Sequence, residues 1–359
     1  MEKKKIAVLF GGVSPEHEVS LVSAFSVIRN LPKEKYDPVC VGITKDGRWY
    51  LFDGPSEEIP DGRWEKSGHR TPAFLPPDRG IGGLVTADRE GKMHTVKIDC
   101  VFPVLHGHNG EDGTIQGLLE LCGIPYVGCR TLSSAVCMDK AVTHSLLSNA
   151  GIPCAKYLWF YRHKYASGKK KIKVKIEARL GYPIFVKPAG SGSSVGVTKV
   201  SREEELDAAV EKASRDGEKI LVEEAVSGQE IECAVLGNLS PEASSVVGEI
   251  APSAEFYDYD DKYKSGKSKL YIPAHLSEAV AEKVRETAVR AFRTLGCRGF
   301  ARVDFFVRGG TEVLLNELNT IPGFTPISMY PKLWKASGLS YGDLLDRLIL
   351  LALEEHAEK

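Results

Sequence analysis

Two runs of this chain read as buried β-strands yet carry charges that a buried strand holds only with partners. Residues 299–307 contain Arg302 and Asp304 among Phe300, Val303, Phe305 and Val307. Residues 311–319 contain Glu317 and Asn319 among Val313, Leu314, Leu315 and Leu318. Arg308, Gly309 and Gly310 between them are turn chemistry, so the pattern predicts a hairpin. Side chains alternate faces at period two, and pairing the strands brings Arg302, Asp304, Glu317 and Asn319 together. Unpaired, such a group on a half-apolar sheet costs several kcal/mol. Asp, Glu and Asn oxygens suit Mg²⁺, which takes one or two carboxylates and completes its shell with nucleotide phosphates. An internal salt bridge between Arg302 and one carboxylate is the simpler alternative, and it leaves the second carboxylate and Asn319 unexplained.

At 359 residues the chain exceeds one ordinary core and predicts two or three domains. Its 47 basic and 48 acidic residues, net charge -1, argue against a dedicated nucleic-acid binder. Lys169, Lys170, Lys171, Lys173 and Lys175 form the one basic run and read as a solvated loop or edge. Eight cysteines lie scattered without C-x-x-C spacing, which fits free thiols in a reducing cytoplasm. The apolar run after the basic N-terminus is too short for a signal peptide, and no segment reaches membrane-spanning length.

Residues 6–10 predict a buried strand, followed by Gly11-Gly12 and a helix opening near Ser14. Residues 53–97, rich in Gly, Pro and charge, read as surface loops with a short hairpin. Residues 100–105 predict a strand leading into a polar glycine-rich loop and a helix with Ile115, Leu118 and Leu119. Repeated strand-to-helix turns imply an open parallel sheet with its site at the strand C-termini. Asp139 is a candidate N-cap for a helix to Asn149. A strand over 182–188 ends at Lys187 and meets a small-residue loop, 189–196, whose backbone N–H groups can face phosphate oxygens. Ser201 and Glu204 read as a capping box. Strands at 219–226 and 229–235 carry Glu223 and Glu230, groups suited to an adenine edge and a ribose diol. A helix ends at Gly296, residues 319–331 read as a rigid loop, 255–268 as a lid, and 341–355 as the last helix.

Six motifs in one order resemble the D-alanine–D-alanine ligases of the ATP-grasp superfamily. They are Gly11-Gly12 with Ser14, Glu16, Glu18, Val19 and Ser20; His106-Gly107 with Gly110, Glu111, Asp112 and Gly113; and Met138-Asp139-Lys140. The others are Val186-Lys187-Pro188 with residues 192–196; Phe256 to Tyr259 with Lys262-Tyr263; and Asn316-Glu317 with Asn319, Thr320, Pro322 and Gly323. The resemblance implies an α/β ATP-grasp fold of three α/β domains, with ATP between the sheets of the central and C-terminal ones. The expected spans are 1–136, an open parallel-sheet domain holding the first substrate; 137–226, the central subdomain; and 227–359, the C-terminal subdomain with metal site and lid.

The resemblance also implies roles. Lys140 and Lys187 would meet ATP phosphates, with Ser193 and Ser194 in the loop covering them. Phe185, Glu223, Glu224, Ala225 and Val226 would line the adenine site, Glu230 would read the ribose, Phe306 would stack on the base, and Asn316 would complete the nucleotide site. Asp304, Glu317 and Asn319 would hold two Mg²⁺ ions, with Mn²⁺ able to substitute. The chemistry implied is phosphorylation of one D-alanine carboxylate and attack on the acyl phosphate by a second D-alanine, for peptidoglycan precursor synthesis. Arg302 and the Gly323 N–H would stabilise the oxyanion. Glu16 would bind the first ammonium, with His106 nearby, and Ser328 and Lys262 the second carboxylate. A Glu16–Ser193–Tyr263 hydroxyl chain would form when the lid closes. Tyr263 and Met329 stand where depsipeptide-forming relatives have His and D-serine-using relatives have Arg, so both favour D-alanine. His144 stands where many relatives have Lys and reads as a surface change without a role. A cytoplasmic homodimer, joined through the first domain, is implied.

A D-alanine–D-serine ligase or another ATP-grasp carboxylate–amine ligase is the alternative; the latter would lack Glu16, the lid motif and Ser328. A non-catalytic nucleotide-binding protein would lack Glu317, Asn319 or Arg302. All are present.

Overall fold

The computed structural model describes residues 2–88, 90–192, 195–251 and 268–358. The first unit contains β1 (Lys4–Gly11), α1 (His17–Asn30), β2 (Tyr36–Ile43), β3 (Trp49–Phe52), β4 (Arg70–Phe74), β5 (Gly83–Ala87), β6 (Met93–Lys97), β7 (Cys100–Pro103) and α2 (Thr114–Cys122). Its sheet runs β6-β5-β4-β3-β2-β1-β7. Only β2, β1 and β7 are parallel; β3 to β6 extend the sheet antiparallel, which corrects the all-parallel expectation. Residues 53–97 contain the expected short hairpin, β5 with β6, and add β4 to the sheet, with the remainder in turns, short 3₁₀ segments and loops.

That stretch also supplies core. Trp64 is fully buried, with its ring edge-on to Phe10 at 5.1 Å and to Phe52 at 6.4 Å. Gly42 makes room for it, since a Cβ there would sit 2.3 Å from the indole.

Helices α3 (Thr131–Met138) and α4 (Lys140–Asn149) follow, and Asp139 caps α4 as expected by accepting from the N–H groups of Ala141 and Val142. The central unit holds β8 (Tyr157–Tyr161), α5 (Arg162–Arg179), β9 (Ile184–Pro188), β10 (Thr198–Val200), α6 (Leu206–Asp216) and β11 (Lys219–Glu224), with sheet order β10-β9-β11-β8. The lysine run lies in α5, a correction: Ile172 and Ile176, four apart, face this unit's core while Val174 between them is exposed. Alternating Lys and apolar residues mimic a strand, but the i, i+4 pair is what packs. The cap before α6 also differs by one residue, because Glu205 rather than Glu204 accepts the Ser201 N–H.

The third unit comprises β12 (Gln229–Leu236), β13 (Glu242–Ala243), β14 (Gly248–Ala251), β15 (Lys269–Tyr271), α7 (Glu278–Thr294), β16 (Phe300–Arg308), β17 (Glu312–Asn319), α8 (Met329–Ala336) and α9 (Tyr341–Ala357). Its sheet runs β15-β14-β12-β16-β17, with β13 on β12. The residue 319–331 loop thus ends in a helix that proline and the short apolar stripe concealed.

Cores cross the expected boundaries. Phe10, Phe102 and Val127 of the first unit share one cluster with Phe300, Phe324, Leu344 and Leu348 of the third. Leu147 and Ile152 pack with α7 and β16, while Ala141 and His144 on the same helix as Leu147 pack on Ala189, Leu221 and Tyr157, so α4 bridges the third unit and the central one, whose own core runs from Phe160 to Val222. Trp64→Ala should cost about 3–5 kcal/mol, the usual cost of emptying a large aromatic site, and Trp64→Phe well under half of that. Denaturant unfolding checks this, and equal stability of Trp64→Ala and wild type would contradict it.

Candidate active site

The predicted hairpin forms with Arg302 opposite Asn319 and Asp304 opposite Glu317, and a register shift after Asp304 inserts Asn316 as an extra residue in β17. Glu232 of β12 lies opposite Asp304 on the other side. Three carboxylates therefore stand abreast across β12, β16 and β17. Like charges so placed repel, and cations hold them: Arg302 grips Asp304 through two bonds of 2.7 Å and approaches Glu232 at 3.2 Å. Lys140 Nζ sits 3.2 Å from Glu317 and donates to the Ser191 carbonyl at 2.9 Å. Burial would lower the Arg302 and Lys140 pKa values, but the adjacent carboxylates outweigh it and raise both. The internal salt bridge considered from sequence is thus real, and the acids it leaves still face a cavity. Asn319 donates to Asp304 at 2.9 Å.

One pocket lies between the central and third sheets. Phe185 and Lys187 of β9, Glu223 and Glu224 of β11, Val226, Glu230 of β12, Phe306 of β16, Asn316 and Glu317 of β17, Asp304 and Lys140 line it. Ala225 is absent from that wall and spends its N–H on the Pro183 carbonyl. Glu223 does not offer a free carboxylate to a ligand, because it pairs with Lys187 and lies 2.8 Å from His144 Nε2. That approach is close without being aligned as a linear hydrogen bond. Burial alone would raise the Glu223 pKa, but the charge of Lys187 and the neighbouring His144 hold it down at about 2. His144, expected at the surface, is fully buried and rests against Tyr157, 4.9 Å between centroids. Helix α4 turns its His144 face inward toward β11, which a local pattern with few apolar residues did not reveal.

A second pocket adjoins the first, sharing Glu232, Ile250 and Glu317. Glu16, His106, Arg302, Gly323, Ser328 and Met329, six of the predicted substrate residues, line it together. Glu16 begins α1, and Gly107 has φ +64 with room for no side chain: a Cβ would stand 2.5 Å from Glu16 Oε2. Ser328 begins α8 and accepts the Thr325 N–H at 3.0 Å. Ser193, Ser194, Lys262, Tyr263 and residues 255–267 of the expected lid lie outside the described residues.

Several residues of this site were not singled out from sequence. Glu232 shares a face of β12 with Glu230, so period two could have flagged it. Lys332 lines the second pocket, its pKa lowered by burial. Glu111, inside a recognised motif but without a role, accepts N–H groups from Gly107 at 2.8 Å and Ile321 at 3.2 Å. Burial, and then the charge of Glu16, push its pKa up to about 8.

The donors Asp304, Glu317 and Asn319 are hard oxygens that fit Mg²⁺. Among the described residues no three His, Cys, Asp or Glu side chains converge as a cage, so such an ion would draw the rest of its shell from nucleotide oxygens.

The Glu223 pairing carries a pH signature. A carboxylate depressed from 4.5 to about 2 adds stability that is complete above the unfolded value and is lost as pH falls through the folded one. Between about pH 5 and pH 2 the wild type should lose on the order of 2 kcal/mol more stability than Glu223→Gln. Chemical unfolding at several pH values tests this, and parallel stability curves would refute it.

Comparison with known proteins agrees with this geometry. The family model described as D-ala D-ala ligase N-terminus matches residues 5–129, and that described as D-ala D-ala ligase C-terminus matches 146–350. A protein of Thermoanaerobacter sp. (strain X514) named D-alanine–D-alanine ligase is 55% identical across 100% of this chain and 99% of its own. One of the same name from Clostridium acetobutylicum is 49% identical, covering 98% of each. Among solved structures, the VanG D-Ala:D-Ser ligase of Enterococcus faecalis superposes with TM-score 0.88 at 44% identity, over 98% of this chain and 100% of that one. The D-alanine-D-alanine ligase of Coxiella burnetii does so at 0.86 and 39%, over 99% and 97%. Matched almost end to end in sequence and in fold, this chain belongs to the D-alanine–D-alanine ligase family.

Proposed function

We propose that the protein joins two D-alanines in an ATP-dependent reaction through a D-alanyl phosphate, yielding D-alanyl-D-alanine for peptidoglycan precursors. The observation that carries this reading is the junction of the two pockets at Glu232 and Glu317, beside Arg302. A nucleotide between the sheets would present its terminal phosphate there to a small amino acid held by the first unit.

On this reading a carboxylate oxygen of the first D-alanine attacks the γ-phosphorus and ADP leaves. The amine of the second attacks the resulting carbonyl carbon, phosphate leaves, and one proton is released. Lys140 and Lys187, now paired with Glu317 and Glu223, turn toward the phosphates. Val226 and its neighbours line the adenine end, Glu230 meets the ribose, and Phe306 stacks on the base. Glu16 receives the first ammonium. Arg302, held by Asp304 and Glu232, and the Gly323 N–H face the oxyanion. Ser328 meets the second carboxylate. Asp304, Glu317 and Asn319 would hold two Mg²⁺, or Mn²⁺, which when bound neutralise phosphate charge during transfer. All eight cysteines are free, in keeping with a cytoplasmic setting, and no described helix is long and apolar enough to cross a membrane. We also infer a homodimer through the first unit, which light scattering would test.

Phosphate release in the presence of ATP, Mg²⁺ and D-alanine is the direct test; release that does not depend on D-alanine would overturn the reading. Glu317→Ala and Asn319→Ala should each lower turnover at least a hundredfold, the scale of losing a charge-stabilising group, while thermal unfolding stays near wild type. Near-normal activity at limiting Mg²⁺ would sink the metal assignment.

A D-serine second substrate is the competing reading, favoured by the likeness to a solved D-Ala:D-Ser ligase. Met329 bears on it: it is buried on the pocket wall and packed so closely on Gly248 that a Cβ there would lie 2.5 Å from its sulfur. An apolar wall suits a methyl group, though such walls reject a hydroxyl by only about 10²-fold. From an equal mixture of D-alanine and D-serine, mass analysis should find D-alanyl-D-alanine in large excess. Mainly D-alanyl-D-serine would reverse the assignment.

A further inference from the structure

The turn that carries Gly323 belongs to the third unit, yet its backbone is held by the first. Glu111 Oε1 accepts the Ile321 N–H at 3.2 Å, and His106 Nδ1 lies 3.1 Å from the Ile321 carbonyl oxygen. Both backbone groups of one residue are therefore taken by side chains of a single loop. A carbonyl only accepts, so Nδ1 carries the proton. Burial keeps the imidazole neutral, which leaves Nε2 as an acceptor for the Ser23 hydroxyl at 3.4 Å. Ser23 Oγ in turn accepts the Phe324 N–H at 3.3 Å. The two Ser23 contacts are long, so the main hold is on Ile321 and Ser23 sets the register of its end. On the far side, Ser328 stands so near that a Cβ on Gly323 would meet its Oγ at 2.7 Å.

We propose that Glu111, His106 and Ser23 form a clamp of positioning residues that reach across from the first unit to fix Ile321 and Phe324, and thereby aim the Gly323 N–H between them at the reacting carbonyl. This rests on the ligase reading above and adds the means by which that donor is placed. A donor aimed at a developing oxyanion works only when held in place beforehand, and a displacement of about 1 Å can cost a hundredfold. The clamp bears on amine attack at the carbonyl and not on phosphoryl transfer, which depends on Lys140, Lys187 and the acids of the hairpin.

Glu111→Gln turns one of two accepting oxygens into a donor facing an N–H, and Ser23→Ala removes the link between His106 and Phe324. In single-turnover experiments with ATP, Mg²⁺ and D-alanine, both variants should form ADP within about threefold of the wild-type rate. Dipeptide formation should fall about tenfold to a hundredfold, more for Glu111→Gln, so that ADP exceeds dipeptide as acyl phosphate is lost to water. A merely structural role would lower both products together and leave their ratio at one. That result in both variants, or unchanged dipeptide formation in both, overturns the clamp. Should one variant lose cooperative unfolding, the other carries the same comparison. If wild type itself makes no dipeptide, the ligase reading fails; if wild type is coupled and the variants are equally coupled, the clamp alone fails.

Discussion

Arg302 set between Asp304 and Glu232 is the interaction on which the site depends. Three strands of one sheet place carboxylates side by side at Glu232, Asp304 and Glu317, an arrangement that repels itself unless positive charge is supplied. Arg302 supplies part of it from the same sheet and Lys140 the rest from α4. One consequence is rigidity: with two bonds to Asp304, the guanidinium has little rotational freedom left, and its direction is set before any ligand arrives. Another is reserve. The cations are already satisfied internally, so a polyphosphate with its own cations can exchange partners with them instead of creating charge in a buried place.

The same logic distributes the three units. The first and third share an apolar cluster in which the Phe324 ring meets Phe102 at 5.9 Å and Phe300 at 5.8 Å. The central unit keeps its own core and reaches the others largely through polar contacts, among them Lys140 with the Ser191 carbonyl, Lys219 with Asp139, and Arg308 with Glu224. Polar interfaces yield more readily than shared cores. The second pocket, which on the proposed reading positions the reacting amino acids, lies beside the shared apolar core. On the proposed reading the nucleotide enters the other pocket, at the looser seam.

What the sequence made legible follows from range. The hairpin of β16 and β17, the Asp139 cap and the stop at Gly296 are local patterns, and each appears as read. Charges misplaced on apolar strands were legible because burial forbids them without partners. Elements whose identity comes from distant neighbours were not. Strands β3 to β6 take their sheet from β2, α5 takes its orientation from the core built by β9, β11 and α6, and His144 takes its burial beside Glu223 of β11. The Ile321 clamp was invisible for the same reason: 210 residues separate Glu111 from the N–H it holds.

The second pocket holds more than one acid. Glu16 and Glu111 share it with Glu232 and Glu317, and on the proposed reading it receives both D-alanines. Burial, and then the charge of Glu16, push the Glu111 pKa up to about 8, while both of its oxygens accept backbone N–H groups. On the proposed reading Glu16 meets the first ammonium and Arg302 the oxyanion, with Glu232, Glu317 and Lys332 also on the pocket wall. Glu111 is spent on backbone contacts with Gly107 and Ile321. Two acids in one pocket thus have different work, Glu16 toward the cavity and Glu111 toward the backbone.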